Sequence, residues 1–390
     1  MPLKIGLIGC GNISSVYLLN AALFDDFDFT ACADIDPAAA ERQAERFDID
    51  ARTAPALLQS EDVDVVLNLT IPEAHAEVSL AAIEAGKHVY SEKPLATTLD
   101  AGLAIAAAAR AKGVRVGAAP DTVLGASLQE ARGLIDSGAI GKPLTGLAAI
   151  LGHGMEHWHP NPGFFFRPGG GPVFDMGPYY LTALVTLLGP VASVQASGQI
   201  GFAERIVTAP GSALLGSSIR VETLTSVQGL LEFASGAQVT FLASWDVWRH
   251  GVPPIELHGE TGSLRVPDPN WFGGDPEIAI GRGDWRAIET SARSFGRPNW
   301  PRAEPQHANY RGLGLADMAR GILDGRPHRA NGEIALHVLA VMAALSTAAT
   351  ERRLVGIEQG CERPAPLSEI EAAGLLQRDA SPTRGGDVAR

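Results

Sequence analysis

The chain holds 390 residues, 46% hydrophobic and 19% charged, a balance that excludes an intrinsically disordered chain and suits a folded enzyme of two or three domains. A formal net charge of −13 excludes a molecule built around a nucleic-acid or anionic-membrane face, since such faces are basic. Cys10, Cys32 and Cys361 fall in no CxxC or metal-like spacing, so free thiols in a reducing cytoplasm are expected.

The first predicted elements lie in "KIGLIGCGNISSVYLLNAAL", an apolar strand, a glycine turn and a helix pattern that leave no room for a secretory leader. Gly9, Gly11 and Ser14 take the three small positions of a GxGxxG fingerprint. The first glycine permits the tight turn and the second admits a pyrophosphate. The helix start at Asn12 and Ile13 favours that anion. "FDFTACADIDP" is a second strand ending in Asp34, placed to hydrogen-bond a ribose and to repel a 2′-phosphate; no Arg stands at 33–37. NAD is therefore expected in preference to NADP. Asp36, before Pro37, reads as a turn residue.

"VDVVLNLTIPEAHAEVSLAAIEAGKHVYSEKPLA" continues as strand, loop, helix, strand, loop, which implies a parallel sheet. Its loops follow the carboxyl ends of strands, where open α/β sheets bind ligands. Thr70, Pro72, His75, Glu92 and Lys93 sit in those loops and are expected to contact the cofactor. One more helix and strand complete a doubly wound Rossmann domain over residues 1–121.

"LGHGMEHWHPNPGFFFRPGGG" is a loop rich in rings. His153, Glu156, His157 and His159 invite a metal reading, yet no helix aligns them, and a substrate loop without metal is expected. "GGGPVFDMGPYYLTALVTLLGP" opens a helix with Asp175 one turn before Tyr179 and Tyr180. The stretch 227–269 alternates apolar and polar residues between glycine turns, as antiparallel strands do. Period-2 geometry there sends Asp246 and Trp248 to one face and Trp245 to the other. Asn309, Tyr310 and Arg311 precede a helical region and are read as reaching toward the cleft. The apolar run 334–349, interrupted by His337, reads as a buried helix rather than a membrane span. Residues 122–362 are expected to form an α+β substrate and oligomerisation domain, and 363–390 a partly disordered tail with one short helix.

The motifs "GCGNIS", "TIPEAH", "EKPLA", "LIDSGAIGKP" and "GGGPVFDMGPYYLTALVTLLG", spread over residues 3–355, resemble the Gfo/Idh/MocA family of glucose–fructose oxidoreductase and inositol dehydrogenase relatives. The resemblance implies a Rossmann domain followed by a domain on a large, mostly antiparallel open sheet. It also implies NAD(P)-dependent redox chemistry at a carbon of a sugar, cyclitol or related polyol. Homodimers or homotetramers through the open sheet face are implied as well. The family's EKP lysine falls on Lys93. Its Asp-x-x-x-His pair falls on Asp175 and Tyr179, with Tyr where His is common.

Hydride loss from an alcohol carbon leaves a proton on oxygen for a base to take. A free phenol, with a pKa of about 10, is a poor base at neutral pH, and a lysine cation nearby favours its ionised form. Lys93, Asp175 and Tyr179 are accordingly expected to handle the proton, with Tyr180 the alternative to Tyr179. In the substrate loop, Trp158 would stack on a sugar's C–H face while His157, His159 and Arg167 bond hydroxyls or an anion. Asp246 or Trp248 would line the same pocket. The activity expected is NAD-dependent dehydrogenation of a secondary hydroxyl. The alternatives are a redox-neutral, NAD-dependent glycosidase and a non-catalytic NAD-bound sensor, the latter disfavoured by the presence of Lys93.

Overall fold

Leu3–Ile8 (β1) is buried on both faces from Ile5 onward, as a central parallel strand must be. In this computed structural model, which describes residues 1–299 and 308–376, strands and helices alternate after it. They are Ser14–Ala21 (α1), Phe27–Ala33 (β2), Pro37–Phe47 (α2), Asp50–Ala51 (β3), Ala54–Gln59 (α3), Val65–Asn68 (β4), His75–Glu84 (α4), His88–Ser91 (β5), Leu99–Lys112 (α5) and Val116–Ala118 (β6). The strands form one parallel sheet in the order β3-β2-β1-β4-β5-β6. The strand order reverses between β1 and β4, so the loops leaving those two strands part to form a crevice. Local chemistry supports each boundary. Asp36 caps α2 ahead of Pro37, Thr98 caps α5, and Gly113 ends α5 in the left-handed region.

The chain then forms Ala126–Asp136 (α6), Pro143–Leu151 (β7), Gly171–Asp175 (α7) and Gly177–Leu188 (α8). Val191–Gln199 (β8), Glu204–Ile206 (β9), Ser218–Arg220 (β10), Ser226–Phe233 (β11), Gln238–Ser244 (β12), Ile255–Gly259 (β13), Gly262–Val266 (β14), Glu277–Ile280 (β15) and Arg286–Ala287 (β16) follow. Nine strands make the second sheet, in the order β16-β15-β14-β13-β7-β12-β11-β8-β17, where β17 is Val355–Gly356. Its pairings are antiparallel except for β7 with β12. Alternation is strict along β11: Val227, Gly229, Leu231 and Phe233 face the core, while Gln228, Leu230 and Glu232 face out.

Leu313–Leu323 (α9) and Gly332–Glu351 (α10) then return to the first domain. α10 is long and apolar enough to span a membrane, but here it is a core helix packed against α5, α8 and β8. His337, fully buried within it, accepts from Val191 N at 3.0 Å and meets the Gln359 carbonyl at 2.5 Å. Ala330 and Asn331 close the free edge of β6, with Ala118 N donating to Ala330 O. Of the expected tail, Glu369–Leu375 (α11) is capped by Ser368 and Glu371 and buries Leu367, Ala372 and Leu375. Arg329 ties it down through Glu371 at 2.7 Å. The stretch 377–390, the rest of that tail, lies outside the described residues.

Candidate active site

The turn after β1 is shaped for a close ligand. Gly9 has φ of 103°, and a Cβ there would lie 2.5 Å from the Leu69 carbonyl carbon, so any side chain would strike the loop leaving β4. A Cβ on Gly11 would meet nothing within 4 Å, because it faces the open crevice. No side chain caps α1 at Ile13; the Ser14 and Val16 amides bond the Gly11 and Ile13 carbonyls, and the positive end of the helix opens beside exposed Asn12. Ser14 turns inward instead, its hydroxyl donating to Gly11 O at 2.6 Å. Asp34 accepts from Cys10 N at 2.7 Å and from Asp36 N at 2.9 Å, which fixes its carboxylate at the mouth of the turn. Each carboxylate oxygen keeps a further lone pair for a ribose hydroxyl. The glycine cradle, the helix start and the placed carboxylate fit a dinucleotide.

Lys93 stands at the end of β5, followed by a cis peptide to Pro94. Its ammonium donates to the main-chain carbonyl of Asp175 at 2.7 Å and to Asp175 Oδ1 at 2.9 Å. The chain permits this because the helix breaks here: α7 stops at Asp175 and α8 starts at Gly177. Tyr179 N bonds Met176 O, so the Asp175 carbonyl is left for the lysine. Asp175 therefore caps no helix. Lys93 Nζ lies 5.2 Å from the Tyr179 ring centroid. Burial opposes the lysine's charge, but Asp175 and Tyr179 outweigh it and hold the Lys93 pKa above its ordinary value.

An open cleft adjoins this group. Pro72, Lys93, Pro94, Phe164, Phe165, Phe174 and Asp175 line it. His159 packs edge-on against Trp158, Phe164 and Phe165. Its Nδ1 accepts from Asn161 N at 3.1 Å, so the hydrogen of the neutral ring sits on Nε2. Burial lowers the His159 pKa, and the Asp175 charge works against that shift. Trp158 is half exposed against His159, and Arg167 is exposed.

Other expected site residues point elsewhere. His75 is 1% exposed and sets its ring nitrogens against Pro94 O (2.6 Å) and Thr70 O (3.0 Å), clamping two loops together rather than facing a cofactor. Thr70 gives its hydroxyl to Asn68 at 2.7 Å. Glu92 accepts from the Tyr17 hydroxyl at 2.9 Å and from Lys93 N at 3.0 Å, so it braces the lysine turn. Tyr180 is buried, and burial, with the Asp268 carboxylate adding to it, raises its pKa. Asp246 pairs with Arg205 and accepts from Thr225 at 2.7 Å and Ser226 at 3.1 Å, so it serves as a structural counter-ion. Arg205 also holds Glu156 at 2.9 Å. Trp248, 81% exposed, stacks on His153 at 3.6 Å, and His157 meets the Gly154 carbonyl in the same cluster. The period-2 expectation fails here because β12 ends at Ser244. Among the described residues, no three His, Cys, Asp or Glu side chains are grouped to hold a metal.

One site residue gave only a weak signal in the sequence. Arg311, in the turn before α9, donates to Asn309 Oδ1 and Asn270 Oδ1, each at 3.2 Å, and burial opposes its charge while Tyr179 and Glu92 sustain it.

Comparison with known proteins matches residues 3–119 to the NAD-binding Rossmann domain of the Gfo/Idh/MocA oxidoreductase family and residues 128–265 to a GFO/IDH/MocA C-terminal domain. Inositol 2-dehydrogenase 3 of Saccharopolyspora erythraea is 31% identical over 298 residues, covering 73% of this chain and 80% of the relative. Levoglucosan dehydrogenase of Pseudarthrobacter phenanthrenivorans is 27% identical over 288 residues, covering 67% and 73%. Among solved structures, an NAD binding oxidoreductase from Klebsiella pneumoniae superposes with a TM-score of 0.76 at 25% identity, covering 91% of this chain and 99% of that one. An apo levoglucosan dehydrogenase, at 24% identity, shares the fold with a TM-score of 0.80 over 93% of this chain and 100% of that one. With the crevice, the lysine turn and both domain matches in place, this chain belongs to the Gfo/Idh/MocA family of NAD-binding oxidoreductases.

Proposed function

We propose that the protein is an NAD-dependent dehydrogenase acting on a secondary hydroxyl of a sugar or cyclitol, with Lys93, Asp175 and Tyr179 handling the proton. The observation that carries this reading is the Lys93 ammonium, held by two oxygens of Asp175 beside Tyr179 at the cleft. The nicotinamide, when bound, takes or gives the hydride. An ammonium has three N–H donors, and Asp175 engages two, which leaves the third for the reacting oxygen. As the alcohol C–H bond breaks, Lys93 stabilises negative charge growing on that oxygen, and Tyr179 accepts its proton. Asp175 holds the lysine in place and keeps it charged. The aromatic wall of Phe164, Phe165 and Trp158 offers flat faces to the C–H side of a ring, and His159 Nε2–H is a donor for a hydroxyl.

The Asp34 carboxylate at the turn supports NAD over NADP, because it would repel a 2′-phosphate. Exposed Leu144 and Leu230 on the outer face of the nine-stranded sheet support a homodimer or homotetramer formed there. Three free cysteines suit a reducing cytoplasm.

The test is to incubate the purified protein with NAD and a panel of free sugars, cyclitols and chromogenic glycosides, following reduced nicotinamide and released aglycone together. NADH accumulating on a free polyol supports the dehydrogenase. Aglycone release that requires NAD but leaves no NADH overturns it in favour of redox-neutral glycoside cleavage.

A further inference from the structure

The hydroxyl of Tyr17 is spent on the carboxylate next to the lysine. Tyr17 lies in α1, one turn after Ser14, and is 1% exposed. Its Oη donates to Glu92 Oε1 at 2.9 Å, and Glu92 Oε2 accepts from Lys93 N at 3.0 Å. One carboxylate oxygen thus serves the helix and the other serves the lysine turn. Burial, with the Glu92 charge adding to it, raises the Tyr17 pKa, so the phenol keeps its hydrogen through the neutral range.

Two further holds on this turn come from β4 and the start of α4. Glu92 N donates to Asn68 O at 2.8 Å, and the Pro94 carbonyl meets His75 Nδ1 at 2.6 Å. Both fix main chain and leave the Glu92 side chain to swing; the Tyr17 hydroxyl pins it. A carboxylate that swung away would take two things from Lys93. One is the acceptor on its amide. The other is a negative charge, since burial opposes the ammonium while Asp175, Tyr179 and Glu92 sustain it. The same helix reaches the turn before α9, where Asn20 donates to the Arg311 carbonyl at 3.0 Å and to the Asn309 carbonyl at 3.2 Å. The helix that opens at the glycine cradle therefore braces the lysine turn as well.

We propose that Tyr17 is a positioning residue for the reaction: through Glu92 it ties the Lys93 turn to the helix that begins at the cofactor cradle, and so keeps the ammonium on Asp175 and aimed at the cleft. The inference rests on the role given to Lys93 above. Tyr17→Phe is the direct probe, because it keeps the ring and leaves one carboxylate oxygen without its donor.

The first measurement needs no substrate. The chain's lysines are Lys4, Lys87, Lys93, Lys112 and Lys142, and brief acetylation with mass spectrometry gives a rate for each. Tyr17→Phe is expected to raise the Lys93 rate by about threefold or more, the scale of one hydrogen bond, with the other four near wild type. Lys93 labelling at the wild-type rate overturns the proposal, and so does a rise shared by all five, which marks general loosening. On a substrate found by the panel, Tyr17→Phe should lower turnover by about tenfold, with the sugar's Michaelis constant and the NADH dissociation constant near wild type. Unchanged turnover overturns the proposal. In a Lys93→Met background Tyr17→Phe should cost nothing further, whereas a tyrosine acting apart from the lysine would add its loss there. Should Tyr17→Phe not fold, the strut is cut from its other end. Glu92→Gln can accept from Lys93 N and donate to the phenol oxygen, and Glu92→Ala can do neither. The Gln variant should turn over about tenfold faster than the Ala variant, and equal rates overturn the proposal. Full turnover in Lys93→Met alone is a different result: it removes the lysine's role itself, whatever Tyr17 does.

Discussion

Lys93 contacts Asp175 twice, through the main-chain carbonyl at 2.7 Å and through Oδ1 at 2.9 Å. The carbonyl contact survives any side-chain change at 175, so the lysine stays in place while its charge partner is altered. Asp175→Asn should therefore lower turnover by about tenfold, whereas Lys93→Met should lower it by about 100-fold or more, the scale of a lost acid–base group. NAD affinity should hold in both, as steady-state kinetics with fluorescence titration of NADH would establish. Full turnover in Lys93→Met would remove the lysine from the mechanism.

The two glycines of the first turn should fail differently. Gly9→Ala puts a Cβ 2.5 Å from Leu69 main chain at a positive φ, so it should cost about 1–3 kcal/mol of stability. Gly11→Val projects into the open crevice, so its melting temperature should match wild type. Its NAD dissociation constant should rise by about tenfold or more, or about 1.4 kcal/mol. Calorimetry with and without NAD separates the two, and equal melting losses would contradict this reading of the turn.

Burial pushes the Asp121 carboxyl up to about 6, against the Gly314 amide, Arg311 and the Gly312 amide, which pull it down. The folded state then binds a proton more readily than the unfolded chain. The resulting stability is present below the ordinary carboxylate range and is lost as pH rises toward 6, with about 3 kcal/mol at stake at 1.36 kcal/mol per unit. Asp121→Asn should abolish this slope. Urea titrations of both proteins between about pH 4 and pH 7 would show it as a difference that grows with pH.

Arg205 holds Glu156 and Asp246 in a buried cluster under Phe166. Removing one partner leaves an uncompensated charge, so Asp246→Ala should cost about 3–5 kcal/mol. Its Michaelis constant for the sugar should stay near wild type, because Asp246 is a counter-ion. A large rise in that constant in a chain of normal stability would return Asp246 to the substrate pocket.

Local signals made part of this molecule readable from its sequence. A strand, two glycines, a helix start and an acidic strand end are neighbours in the chain, and the physics that links them acts over short range. The loops at strand ends, and the lysine and Asp–Tyr pair in them, follow from the same alternation. What stayed hidden depends on contacts across the fold. His75 has two main-chain carbonyls against its ring, and Tyr180 has Asp268, a partner from another strand connection. Asp246 was assigned a face by period-2 geometry that stops two residues before it, at Ser244. Arg311 comes from the far end of the chain, and its turn is held by Asn20 of α1 only because α9 packs back against the first domain.

That return of the chain governs how the protein can be cut and recombined. The last strand of the parallel sheet has its outer edge closed by Ala330 and Asn331, and Met318 of α9 fills the space over Gly117. A fragment ending at residue 121 would expose an unpaired strand edge and an apolar face, the conditions for aggregation. A graft that transplants the substrate domain onto another cofactor domain must therefore leave residues 308–376 with the first partner. The modular unit is discontinuous, and a junction placed at the end of β6 alone should give insoluble protein.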